Sequence, residues 1–99
     1  MTKQEQLKQY LDESVLYATI GDNFDIYLIN ESAILILDHD LKGFTIWEAN
    51  TNRAVGRLHD YLCYIDECNF NDEKKQCFND MYYWLHYSNE ISLYKSIMF

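Results

Sequence analysis

The chain of 99 residues has no proline, three glycines and two arginines. Each shortage excludes something. Phosphate-cradling loops need closely spaced glycines, so that backbone N–H groups can approach an anion. Gly21, Gly43 and Gly56 stand too far apart for that. Without proline there is no polyproline segment and no stiff linker. Eight Lys and Arg against sixteen Asp and Glu leave a net charge of −8. That argues against direct nucleic-acid binding, because phosphate contacts need Lys and Arg. No stretch approaches the ~18 consecutive apolar residues of a membrane span. The opening MTKQEQLKQYLDE is polar and lacks the apolar core of a secretory signal, so the cytoplasm is the expected location. Cysteine is scarce and odd in number. Cys63, Cys68 and Cys77 do not suggest a disulfide framework, and three free thiols are expected.

What is abundant is as telling. Nine Ile, nine Tyr and eight Asn outnumber four Ala. The favoured residues have codons rich in A and T, which points to a low-GC bacterium or one of its phages. Apolar residues make up 48% of the chain, enough to fill the core of one domain.

The pattern predicts an α+β fold. Thr2-x-x-Glu5 is a capping box, so a helix starts at Lys3 and ends near Glu13, with Leu7, Tyr10 and Leu11 on one face. Leu16, Ala18 and Ile20 alternate, as do Phe24, Ile26 and Leu28, with turns at Gly21-Asp22-Asn23 and Asn30-Glu31-Ser32. The run AILIL at 33–37 reads as a central strand covered on both faces. A loop at 38–43 follows, with Gly43 suited to positive φ. Phe44 and Ile46 then alternate with Thr45 and Trp47. Beyond Asn52 the period becomes helical: Ala54, Leu58, Tyr61, Leu62 and Ile65 place a helix over 53–67. Asn71 is the expected cap of a third helix, whose inner stripe is Phe78, Met81, Tyr82 and Leu85. The tail 90–99 fits a strand or a helix. The expectation is thus an N-terminal helix, an antiparallel sheet of three to four strands and two C-terminal helices, with all the helices packed on one face of the sheet and the tail as a candidate last strand.

Candidate chemistry is thin. Asp38-His39-Asp40-Leu41-Lys42-Gly43 resembles the start of a calcium loop, but Lys42 stands where an oxygen ligand belongs and the twelfth position is Ala49. His59 and Cys63 lie four apart on a helix, with Cys68, Cys77 and His86 elsewhere. That spacing is not a zinc knuckle, and no metal or other cofactor is expected. No nucleophile elbow is present, and catalytic residues are expected to be none. Arg53 and Arg57 share a helix face, where Asp60 is placed to pair with Arg57.

Charge and aromatics give the positive signals. Residues 14–50 hold Asp22, Asp25, Glu31, Asp38, Asp40 and Glu48 against Lys42 alone. Successive hairpins would bring the turns at 21–23 and 38–43 to the same end of the sheet. Asp22, Asp25, Asp38 and Asp40 would then cluster and, with Glu48, present a negative surface to a basic partner. In DMYYWLHYSN, at 80–89, Tyr83 and Tyr87 point away from the predicted inner stripe, flanked by Trp84 and His86. Tyr and Trp favour interfaces, so Tyr83, Trp84 and Tyr87 are further candidate partner-binding residues. A homodimer is among the expected assemblies.

In size, charge and composition over its whole length, the chain resembles the small acidic phage-encoded inhibitors: anti-CRISPR proteins, anti-restriction proteins and uracil-DNA glycosylase inhibitors. No motif carries the resemblance. It implies a non-enzymatic inhibitor acting in the host cytoplasm. Its carboxylates would mimic phosphates on the nucleic-acid-binding groove of a nuclease or CRISPR effector. Two other readings stand beside it: an immunity protein or antitoxin that neutralises a nuclease toxin, and a small Cys/His enzyme.

Overall fold

The computed structural model describes residues Met1–Phe99. Helix α1 spans Lys3–Asp12 and begins as the capping box requires. Thr2 Oγ1 accepts from the Glu5 N–H at 3.1 Å, and the Glu5 carboxylate accepts from the Thr2 N–H at 3.4 Å. Four strands follow: β1 (Val15–Ile20), β2 (Phe24–Asn30), β3 (Ala33–Asp38) and β4 (Gly43–Ala49). Helices α2 (Asn52–Glu67) and α3 (Asn71–Tyr87) come next, then β5 (Ile91–Met98). All neighbouring strands are antiparallel, and the sheet order is β1-β2-β3-β4-β5.

The ambiguous tail is therefore a strand. After four hairpin-connected strands the outer edge of β4 still carries unpaired N–H and C=O groups. β5 pairs with that edge from Gly43 to Ala49. Its alternation then has a use, because Ile91 joins the core under the helices while Ile97 packs on the opposite face.

The helices are not all on one face, as the sequence led us to expect. Ile34, Ile36 and Trp47 pack against Leu58, Leu62, Phe78 and Met81 of α2 and α3. Leu35, Phe44 and Ile46 point the other way, onto Leu7, Tyr10 and Leu11 of α1. A sheet whose central strand is apolar at every position from Ala33 to Leu37 needs cover on both sides. The amphipathic N-terminal helix supplies the second layer.

Two local expectations fail for identifiable reasons. The residue with positive φ in the 38–43 turn is Lys42, at φ 52°, not Gly43. Gly43 is required for space instead: a Cβ there would lie 2.6 Å from the Ile97 carbonyl oxygen of β5. And α3 is not capped by Asn71, which is already helical. Its N-cap is Phe70, whose side chain makes no capping hydrogen bond.

Candidate functional site

The hairpin geometry brings the predicted carboxylates together. The His39 N–H donates to the Asn23 carbonyl oxygen at 2.9 Å, which ties the β3–β4 turn to the β1–β2 turn. Asp22 and Asp40 are exposed in these turns. Asp25 and Asp38 stand at the adjoining strand ends and are half-buried. Asp25 is the most engaged of the four. Its Oδ2 lies 2.9 Å from His39 Nε2, and its Oδ1 accepts from the Thr19 hydroxyl at 3.0 Å. Asp38 Oδ1 accepts from the N–H groups of Asp40 and Leu41, both at 3.0 Å, and so shapes the turn. This role accounts for the calcium-like spacing: the aspartate folds its own loop.

Glu48 does not belong to this group. It pairs with Ala33 and Ser92, near the other end of the sheet from Gly43. Its place is taken by residues the sequence reading missed. Helix α2 has 16 residues, or about 24 Å at 1.5 Å per residue, and starts just after β4 ends. A seven-residue strand is about as long, at roughly 3.3 Å per residue. Running back along the sheet, α2 must finish at the turn end, and the Lys75 side chain does lie against Gly21. The α2–α3 connection thus adds Asp66, Glu67, Asp72 and Glu73, with Lys74 and Lys75, to that end. The matching of helix length to strand length was the available signal.

Little of this charge is neutralised within the molecule. Among sixteen acids, Glu90 alone pairs with an Arg or Lys, through Arg53, and Asp25 has the His39 ring beside it.

The aromatic candidates divide. Tyr83 and Tyr87 are 66% and 72% exposed, with ring centroids 4.4 Å apart. Trp84, expected on their flank, is only 9% exposed and belongs to the core. What remains visible of it is capped by Arg57, whose guanidinium carbon lies 5.7 Å from the Trp84 ring and 5.8 Å from that of Tyr61. Arg57 thus stacks on aromatics rather than pairing with Asp60. Arg53 donates two hydrogen bonds to Glu90 Oε1, at 2.7 and 3.0 Å. They hold the Glu90 carboxyl below its ordinary pKa. Both arginines of the chain therefore line one shallow recess with Tyr61, Tyr83, Trp84 and Tyr87.

A third feature was not anticipated. Between α3 and the β4–β5 half of the sheet lies a groove of about 240 Å³. Trp47, Tyr82 and His86 form its aromatic wall, with Trp47–His86 and Tyr82–His86 ring centroids 4.9 and 4.5 Å apart. Leu41, Leu93 and Met98 form an apolar rim, and Asp38 closes one end. Burial, and then the Asp38 charge, push the Tyr82 phenol above its usual pKa.

The remaining nucleophiles and bases do not assemble. His59 Nε2 lies 2.7 Å from the Glu31 carbonyl oxygen, so it donates there. Cys68 Sγ and Cys77 Sγ are free thiols 3.4 Å apart, and burial raises the Cys77 pKa. No three His, Cys, Asp or Glu side chains converge as metal ligands. No helix is long and apolar enough to cross a membrane. Against this geometry, comparison with protein-family models, curated proteins and solved structures gives no match.

Proposed function

We propose that the protein is a non-enzymatic inhibitor that binds a basic nucleic-acid-handling protein, such as a CRISPR effector or a restriction nuclease, and blocks its DNA- or RNA-binding surface. One observation carries the reading. Asp22, Asp25, Asp38, Asp40, Asp66, Glu67, Asp72 and Glu73 gather at one end of the fold, where the Lys residues are fewer: Lys42, Lys74, Lys75 and Lys3, whose Nζ donates to the Met98 carbonyl oxygen beside Gly43. A one-sided field of this kind speeds encounter with a positive surface and positions it. Carboxylates on turns can stand where phosphates would, without the counter-ions that nucleic acid brings.

Cleavage assays test this directly. RNA-guided nucleases and restriction enzymes of low-GC bacteria are incubated with the protein before substrate is added. The expected result is stoichiometric inhibition of at least one of them, relieved by prior loading of its nucleic acid. Inhibition that is insensitive to preloaded DNA or RNA would contradict occlusion of the binding groove. Absence of inhibition across both classes would remove the reading altogether.

A further inference from the structure

The groove between α3 and β5 differs from the other recesses of the surface in combining an apolar rim, an aromatic wall and a carboxylate. At about 240 Å³ it lies below the roughly 300–1,000 Å³ typical of sites for whole small-molecule ligands, and suits a single side chain. Asp38 is already oriented by the N–H groups of Asp40 and Leu41 on its Oδ1, while Oδ2 accepts no hydrogen bond. Trp47 is held in place by its own Nε1–H, which donates to Thr45 Oγ1 at 3.0 Å. His86 and Tyr82 stand edge-on to it or nearly so. Leu93, Met98 and Leu41 are each half or more exposed, an apolar rim with nothing packed over it.

We propose that this groove receives an arginine side chain of the protein partner. The inference rests on the inhibitor reading and deepens it by naming what the partner inserts. The three-carbon stem of arginine would lie along Leu93 and Met98. Its guanidinium would reach the free Oδ2 of Asp38 and face the Trp47–Tyr82–His86 wall. Arginine fits better than lysine because its planar, weakly hydrated head both stacks on rings and hydrogen-bonds a carboxylate. Charge complementarity favours it too, since the carboxylate in the groove lining is Asp38, which would repel an anionic occupant. One surface arginine of this chain shows that such stacking is available to it: Arg57 already sits over Tyr61 and Trp84.

The test needs no target. Nitrogen-15 spectra of the full chain are recorded during titration with N-acetyl-arginine amide, and with the neutral isostere N-acetyl-citrulline amide. The two tryptophans report separately, Trp47 from the groove and Trp84 from the core beneath Arg57. The expected result is a saturable shift of the Trp47 indole with the arginine compound, and at least about tenfold weaker binding of the citrulline compound. Asp38→Asn keeps an oxygen for the turn N–H groups and should weaken arginine binding at least about tenfold. Ser96→Phe fills the groove from exposed β5 and should abolish binding while the amide spectrum stays dispersed. Equal affinity for citrulline, wild-type affinity in Asp38→Asn, or a response confined to Trp84 would each overturn the arginine site. Such a failure leaves the inhibitor reading untouched, because that reading is judged by nuclease cleavage. Conversely, Asp22→Asn with Asp40→Asn weakens nuclease binding and leaves the Trp47 titration as in the wild type.

Discussion

At Lys42 the backbone adopts φ 52°, a conformation that costs an L-residue about 1–2 kcal/mol relative to the right-handed region. Glycine there would relieve that cost and lose about 0.5–1 kcal/mol to the greater freedom of the unfolded chain. Lys42→Gly is therefore expected to stabilise by about 0.5–1 kcal/mol, a rise in Tm of roughly 2–6 °C for a domain of this size. Its neighbour behaves in the opposite way. Gly43→Ala drives a methyl into the β5 backbone at Ile97 and should destabilise by about 1–3 kcal/mol, read from urea unfolding. A third residue-scale prediction concerns pH. Burial raises the phenols of Tyr17, Tyr27 and Tyr82 above their usual 10.0. The fold thus favours the neutral phenol. Its contribution is complete below about pH 10 and is lost as pH rises through the higher folded values. Unfolding midpoints should fall steeply above pH 10, and less steeply in Tyr82→Phe. Equal slopes in the two proteins would show that Tyr82 does not take part.

Among the elements, α3 is the one whose ends and faces are least well matched to its sequence. Phe70 sits at its N-cap with no side-chain acceptor and is 67% exposed. Phe70→Ser should supply the missing acceptor and stabilise the protein by about 0.5–1 kcal/mol. On its outer face, Tyr83→Ala and Tyr87→Ala remove exposed rings and should leave thermal stability nearly unchanged. If that face touches the partner, both should quicken dissociation equally at high and low salt. The strand pattern over 16–46 and the helix period over 53–67 were plain in the sequence, because each element there buries one regular set of side chains. The capping box at Thr2 was equally plain, being a local feature. Faces were harder. Which side α1 covers depends on the sheet having two apolar faces, a property of β3 in its setting and not of α1 itself. Trp84 was misplaced because an aromatic run on a helix does not reveal that a neighbouring helix, bringing Arg57 and Tyr61, will close over one member. The groove was invisible for a similar reason: Asp38, Trp47, His86 and Leu93 come from four separate elements. Of the acidic end, the turn aspartates were legible, whereas Asp66 to Glu73 needed the length of α2.

For the molecule as a whole, charge is divided between fold and surface: Asp25 and Asp38 brace the turns with hydrogen bonds, while Asp22 and Asp40 point their charge outward. Changing Asp22 and Asp40 together to Asn should leave thermal stability nearly unchanged, because both are exposed and neither side chain makes a hydrogen bond or ion pair. It should cut affinity for the nuclease target at least about tenfold and flatten its salt dependence. Normal binding by this variant at physiological salt would mean that the charge serves solubility alone.

The order of the strands also has a consequence in time. Each hairpin of the meander closes a short loop, as at Thr19–Asp25, six residues apart. Strand β5 must find β4 across the whole helical pair; Asn50 and Ser92, hydrogen-bonded across that junction, are 42 apart. Loop closure grows as the logarithm of length, so the late pairing costs about 1.7 kcal/mol more than a hairpin before any contact repays it. Docking of β5 is therefore expected to follow formation of the four-stranded meander, with substitutions at Leu93 or Ile97 speeding unfolding far more than they slow folding. Until it docks, β4 presents a bare edge beside the indole of Trp47, a template for association between half-folded chains. The strand that completes the groove is thus also the one that covers the β4 edge.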